Sequence, residues 1–272
     1  FIKKSFYNIL WSGVKNADLI FANSNFTKDE ITSIPGIDSL KIKVSYLGIS
    51  KEFYKETIEI NYEDSLISQI KSLYGVEDKS YFLYDSGIES NKGIYELLEV
   101  FSNILNAGNE KLPNYLVIIG GDFVKAEGLS AKAKNPAANA ILKFAQEKGI
   151  LQNLIFTDRI LDRDLIALLA NASFYINLSK YEGFGLGIGQ AFAAEVPVIA
   201  SNNSCYPEIT NGAALLVDIS NIEEASKSTL KYISSKKPVQ DNIQKGKEVV
   251  KSYDWDKTAK EYFEALVQLL NK

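Results

Sequence analysis

Between residues 81 and 217 the chain repeats one pattern: a run of four to six apolar residues, a longer stretch with apolar residues at helical spacing, then another short run. The runs fall at 81–84, 115–119, 154–157, 173–178, 196–200 and 214–217. Between them, 93–107, 137–148, 164–170 and 187–194 have helical periodicity. The runs are apolar throughout instead of alternating with polar residues. A strand of that kind must be covered on both faces, as in a parallel sheet wound with helices on either side. The spacing therefore predicts an α/β chain with a doubly wound, Rossmann-like parallel sheet.

The two ends read differently. Apolar runs at 17–22 and 42–47 flank an amphipathic stretch at 25–34, which predicts a strand, a helix and a strand. Asn25 or Thr27 can cap that helix, with Glu30 at capping-box distance from Thr27. A linker rich in Glu, Lys and Tyr follows over 50–64. The chain ends in a helix over 254–270 whose apolar stripe is Trp255, Ala259, Tyr262, Leu266 and Leu269. The expected organisation is thus 1–50, a short strand-helix-strand remnant of a first domain; 51–252, the main sheet domain; and 253–272, a crossing helix.

Charge and composition remove several function classes. Thirty basic and 34 acidic residues give a net charge of −4, and a nucleic-acid surface would require a basic excess. One cysteine, Cys205, cannot form an internal bridge and fits a reducing compartment. No run approaches the roughly 18 to 20 apolar residues of a membrane helix, and the first residues do not read as a signal peptide. The expectation is a cytoplasmic protein that touches a membrane only peripherally. His and Met are both absent, and with a first residue of Phe1 the chain reads as a fragment.

In a doubly wound sheet, ligands sit where the strands end and helices begin. Four strand ends carry suggestive residues. The segment Asp85-Ser86-Gly87-Ile88-Glu89-Ser90-Asn91-Lys92-Gly93 combines a glycine with a lysine beside a helix start, which can neutralise phosphate; an ordinary solvated lysine has the same spacing. Gly120-Gly121-Asp122 matches no complete dinucleotide fingerprint and reads as a tight turn. In Asp158-Arg159-Ile160, Arg159 suits a bidentate contact to a phosphate or an ion pair with a neighbouring acid. Arg159 and Arg163 are the only arginines.

The fourth is Ser179-Lys180-Tyr181-Glu182-Gly183-Phe184-Gly185-Leu186-Gly187-Ile188-Gly189-Gln190. Alternate glycines clear side chains from a strand-to-helix turn, so backbone N–H groups can face an anion at the positive end of a helix. Glu182 before the turn and Gln190 inside the helix can bond sugar or ribose hydroxyls. A capped glycine-rich turn without a ligand fits the same spacing. Asp162-Arg163-Asp164 looks like a metal-binding acid pair, but it precedes an apolar helical stretch and suits the first turn of a helix. With no His and one Cys, a metal site is not expected.

These residues resemble the family 4 glycosyltransferases, retaining enzymes of the GT-B architecture, in which two Rossmann-like domains face a cleft. The resemblance rests on Tyr181-Glu182-Gly183-Phe184-Gly185-Leu186, Gln190-Ala191-Phe192-Ala193, Val196-Pro197-Val198-Ile199-Ala200-Ser201 and Pro207-Glu208. The loop and helix over 84–101, Asp158-Arg159-Ile160 and Tyr253-Asp254-Trp255 extend it. It implies that the chain is the C-terminal, nucleotide-sugar-binding half, with only the tail of the acceptor domain over 17–47 and a last helix that crosses back to that domain. It also implies roles. Lys92, near Gly87, would contact the diphosphate with help from Arg159. Ile160 would meet the base through its backbone, and the backbone of Phe184, Gly185 and Leu186 would meet phosphate and sugar. Glu182 would be the catalytic-site carboxylate on the donor sugar, and Gln190 would take the ribose position. No metal or other cofactor is implied beyond the donor substrate.

Two departures accompany it. Gln190 stands where the family has a second glutamate, and Gly87 and Asn91 stand where an arginine often accompanies the lysine. The implied partners are a nucleotide-sugar donor, with GDP-mannose favoured by the loop over 87–92, a glycan or lipid-linked acceptor at the inner membrane face, and the missing N-terminal domain. The implied process is polysaccharide assembly. The resemblance also admits a non-catalytic relative that serves as a scaffold, although Lys92 and Glu182 favour the enzyme.

Overall fold

The computed structural model describes residues 11–126 and 129–271. Its first unit is a strand β1 (Ile20–Ala22), a helix α1 (Asn25–Thr32) and a strand β2 (Ile42–Val44), with β1 and β2 parallel and Ile20 opposite Ile42. Ser24 caps α1, its Oγ accepting from Thr27 N at 3.1 Å. The expected caps Asn25 and Thr27 therefore lie inside the helix: Ser24 is extended, as a cap must be, and its side chain already meets the free amide. The linker over 50–64 is not structureless, because it folds a short helix α2 (Lys55–Asn61) that precedes α3 (Asp64–Tyr74).

The main unit begins with β3 (Tyr81–Tyr84), α4 (Ile94–Asn106) and β4 (Tyr115–Ile118). An antiparallel hairpin, β5 (Phe123–Ala126) and β6 (Leu129–Ala133), follows where the sequence reading placed no element. Then come α5 (Pro136–Glu147), β7 (Leu154–Phe156), α6 (Asp162–Ala170), β8 (Phe174–Asn177), α7 (Leu186–Ala193), β9 (Val198–Ser201), α8 (Tyr206–Thr210) and β10 (Leu215–Val217). Six strands form one parallel sheet in the order β10-β9-β8-β3-β4-β7. Two further helices, α9 (Ile222–Ile233), which packs against α4, and α10 (Lys236–Val250), which packs against α7, precede α11 (Trp255–Leu270).

The apolar runs explain the layers. Along β3, Tyr81 and Leu83 join one buried cluster while Phe82 and Tyr84 join another, so alternate side chains go to opposite faces and both faces are covered. Leu97, Leu98 and Phe101 of α4 pack on the second face, and Ile188, Ala191 and Phe192 of α7 on the first. Asp162 and Asp164 sit in the first turn of α6, with Asp164 buried and accepting from Tyr74 OH at 2.8 Å. They are helix-start acids, as the sequence reading had them.

The last helix crosses to the first unit with a face that shares only part of the expected stripe, Tyr262 being the shared contact. Thr258 and Ala265 are its buried residues, and the Tyr262 ring stacks on Phe21 at 3.8 Å. Trp255 and Leu266 are about half exposed, at 48% and 49%, and Ala259 is exposed. Apolar residues lie on two sides of this helix, and the small ones, not the large, allow close approach to β2. Thr258 Oγ1 reaches Tyr46 O at 2.6 Å, and Gly48 leaves room for Trp255, whose backbone N and ring a Cβ at 48 would strike.

Candidate functional site

Sequence neighbours β3 and β4 lie side by side, but β8 returns to the other edge of β3. The connections therefore diverge between β3 and β8, and the crevice beyond their carboxyl ends is the place where an open parallel sheet receives a ligand. The loop after β3 ends in Lys92, and the loop after β8 carries Glu182. Lys92 Nζ donates to Glu182 Oε1 at 2.7 Å, with the two side chains 23% and 18% exposed. Ser179 Oγ is 3.1 Å from the same carboxylate oxygen, and Glu182 N donates to Ser204 Oγ at 3.1 Å. The two loops are also tied through their backbones, Lys180 N donating to Asn91 O at 2.7 Å. Gly93 is required at the joint: its φ is +64°, and a Cβ would run into Leu178 O.

The turn into α7 is built on absent side chains. Gly185 caps the helix at φ +86°, where a Cβ would lie 2.6 Å from Tyr206 Cε1. A Cβ at Gly183 would lie 2.9 Å from Asn23 Nδ2, one at Gly189 would lie 2.5 Å from Ile49 Cδ1, and one at Gly187 would strike the Tyr175 hydroxyl. The backbone thus packs directly against its neighbours on several sides. Phe184 turns its ring inward, edge-on to Tyr253 with ring centres 5.2 Å apart, while Leu186 stays 41% exposed. Leu186 is thus the exposed residue of the N-terminal turn of α7, which follows Glu182 closely in sequence, and the helix dipole favours an anion at that end.

Other predicted residues occupy separate parts of this edge. Gly87 lies in the β3 loop and its carbonyl accepts from Tyr84 OH at 2.7 Å. Gln190 is half-buried one turn into α7. Arg159 follows β7 at the sheet edge, two strands from β3, and is exposed, its stem passing Gly121. The ion-pair alternative goes to Lys134, whose Nζ is 2.7 Å from Asp158 Oδ1. Ile160 is half-buried and packs on the core of the first face.

Sequence reasoning assigned no role to Glu208, which clamps the first unit to this site. Its two oxygens accept from Asn25 N (2.8 Å), Asn25 Nδ2 (2.8 Å), Phe26 N (3.0 Å) and Tyr46 OH (2.7 Å). Burial pushes the Glu208 carboxyl up, but the bonds from Asn25, Tyr46 and Phe26 together outweigh it and hold the carboxyl below its usual range. Burial and the Glu208 carboxylate push Tyr46 up to about 12. Ser24 completes the seam, donating to Gly183 O at 2.7 Å. The only signal was Glu208's place in the quoted motif, since its partners lie far away in sequence.

Among the described residues, no group of three or more His, Cys, Asp or Glu is placed to hold a metal ion, and no helix is long and apolar enough to cross a membrane.

Comparison with solved structures supports the fold. Anabaena Alr3699/HepE in complex with UDP and glucose superposes with a TM-score of 0.77 at 17% identity, over 94% of this chain and 65% of that one. A glycosyltransferase from Rickettsia africae gives 0.76 at 19% identity, over 93% and 64%. In sequence, the chain is 24% identical to the Escherichia coli O-antigen chain mannosyltransferase B, over 91% of this chain and 60% of the relative. It is 27% identical to the serotype-specific mannosyltransferase WbdA of the same species, over 76% and 23%. The chain thus spans between about a quarter and three-fifths of the length of these relatives. Residues 68–249, which hold the six-stranded sheet, Lys92, Glu182 and the whole glycine turn, match the family described as "Glycosyl transferases group 1"; the chain belongs to that family.

Proposed function

We propose that this chain is the donor-binding part of a retaining glycosyltransferase, which moves a sugar from a nucleotide diphosphate sugar to a glycan or lipid-linked acceptor in polysaccharide biosynthesis. The observation that carries the reading is the 2.7 Å contact of Lys92 with Glu182 across the switch point of the sheet, just before the N-terminal turn of α7. Without a ligand the two charges satisfy each other. With a donor present they separate by chemistry: Lys92 and the α7 amides take the diphosphate, and Glu182 takes hydroxyls of the sugar near the reacting carbon. A cation and a helix pole at the departing diphosphate stabilise the charge that develops as the glycosidic bond breaks. On this reading Gln190 bonds the ribose, Ile160 offers backbone atoms to the base, Arg159 assists the diphosphate, and no metal is needed. GDP-mannose is the favoured donor, a preference supported by the two relatives named as mannosyltransferases. The acceptor pocket belongs to an N-terminal domain of which 17–47 is the tail. The chain acts at the inner face of a membrane and turns over poorly without that domain.

Calorimetric titration with GDP, UDP and ADP and with their sugars tests the reading; no binding to any of them at millimolar concentration overturns it. Lys92→Ala should weaken a nucleoside diphosphate about 10- to 100-fold while leaving the nucleoside nearly unchanged. Equal loss for both removes Lys92 from the diphosphate. Gln190 and Gly87, where the family has charged residues, favour a second reading as a non-catalytic subunit. Donor binding with no transfer, even when the N-terminal domain is supplied, would select it.

A further inference from the structure

Asp85 follows β3 directly and has no part in the reading above. Its Oδ1 accepts from Tyr175 OH at 2.6 Å, and a Cβ on Gly187, the second residue of α7, would lie 2.9 Å from that same oxygen. The carboxyl therefore stands against the first turn of the helix whose positive pole is assigned to the diphosphate. The titratable groups facing it come from every element around it: Tyr84 from its own strand, Tyr175 from β8, Tyr206 from α8, and Lys92 and Glu182 from the two loops.

Counted over the side chains alone, with the pole of α7 set aside, the charges oppose an anionic ligand. Lys92 is one cation against two carboxylates, Asp85 and Glu182, so the ionised cluster carries a net charge of −1. A nucleotide diphosphate sugar brings about two further negative charges, because both phosphates of its diester stay ionised near neutrality. Gly87 adds no cation. A neutral Asp85 removes the excess and presents an O–H donor where the ionised form presents acceptors alone. The protein already leans that way: burial pushes the Asp85 carboxyl up, the Tyr175 hydrogen bond opposes this, and Glu182 adds to it more than Lys92 removes.

Resting on the donor-site reading, we propose that Asp85 takes up a proton when the donor binds, so that donor affinity is set by the protonation of this one carboxyl. The balance is simple: ionised Asp85, one proton and the donor go to neutral Asp85 in the complex, with no bond made or broken elsewhere. The sign follows. An arriving anion raises the carboxyl's proton affinity further. Donor affinity is then greatest on the acid side and falls as pH rises above the free protein's titration, by up to about tenfold per pH unit.

The test is calorimetry of the whole chain with GDP-mannose, whose diester does not titrate between about pH 5 and pH 8, repeated in buffers of different ionisation enthalpy. The expected result is uptake approaching one proton across the falling part of the pH profile. Asp85→Asn should abolish the uptake, flatten the profile and bind at least as tightly as the wild type at about pH 8. Tyr175→Phe removes the bond that favours the ionised form and should move the falling part to higher pH. Binding without proton uptake in the wild type overturns the proposal while leaving the donor site intact, even if Asp85→Asn does not fold. Undiminished uptake in Asp85→Asn also overturns it, by giving the proton to another group. No binding of GDP-mannose, UDP-glucose or ADP-glucose overturns the donor site itself, and the proposal with it.

Discussion

The six-stranded sheet and the β1-α1-β2 unit are held by opposite means. Strands β3, β8 and β9 are buried at every residue, and the helices on either side meet them through apolar contacts that have no preferred direction. By contrast α1 has no buried residue, and α11 has two. The small unit adds aimed bonds to a few apolar contacts such as Phe21 on Tyr262: Glu208 to Asn25, Phe26 and Tyr46, Thr258 to Tyr46, and Ser24 to Gly183. Burial of this extent is stable and forgiving, whereas a polar seam is specific and depends on each partner. The candidate site lies where the two meet, since Gly183 belongs to the sheet's loop and its carbonyl bonds the small unit.

The sharpest way to break this contrast is to weaken each side separately. Phe101→Ala, at a position 1% exposed and edge-on to Phe82, should cost about 3 to 5 kcal/mol. Denaturant unfolding should show that loss as one transition of the whole main unit; a loss below 1 kcal/mol would mean that the sheet is not held by burial. Next in size is Gly185→Ala, which adds strain at φ +86° to an overlap with the buried Tyr206 ring. A loss of about 2 to 4 kcal/mol is expected, together with weakened nucleotide binding. Gly75→Ala is the control. It has a similar φ of +70° but open space around it, so it should cost only about 1 to 2 kcal/mol.

Glu208→Gln addresses the other side. It keeps the shape but gives up the charge, and about 2 kcal/mol should be lost locally. Hydrogen exchange should quicken at Asn25 and Phe26 while β3 and β8 keep their protection; equal quickening in the sheet would show that the two regions are one cooperative unit. The pH dependence has a definite sign. The folded carboxyl lies below the usual glutamate range, so the clamp is fully present above that range and is lost as pH falls through the folded value. In Glu208→Gln that acid-side loss should vanish.

The same contrast decides what was legible in the sequence. Buried strands announce themselves as apolar runs, so β3, β4 and β7 to β10 could be placed to within two residues, and the glycine turn followed from its spacing. Elements without such a run were missed. Helix α10 buries only Gly246 and Val250 and its stripe is thin, with Val239 and Ile243 alone before them; the β5-β6 hairpin is short and partly polar. For α11 the stripe was visible but two-sided, and only the close approach of β2 selects the side with Thr258 and Ala265. The cap of α1 was ambiguous because Ser24, Asn25 and Thr27 all suit it, and the backbone before the helix chooses Ser24. In the candidate site, Lys92 and Glu182 could each be read as strand-end residues. Their contact depends on β8 lying next to β3, and strand order is not written in either loop. Glu208 was least legible, since its donors stand more than 160 residues away.

The smallest predicted effect concerns Gln190, half-buried on α7 and assigned to the ribose in the proposed function. A carboxylate accepts from a pair of vicinal hydroxyls more strongly than an amide oxygen, by about 0.5 to 1 kcal/mol where both bonds form. Gln190→Glu should therefore tighten binding of a nucleoside diphosphate about two- to fivefold. The same substitution should leave the 2′-deoxynucleotide unimproved, because one of the two hydroxyls is gone. That comparison cancels any general electrostatic penalty of a new carboxylate near the diphosphate, which weakens both ligands alike. An equal change for the ribo- and deoxyribonucleotides would remove Gln190 from the ribose and place the sugar elsewhere along α7.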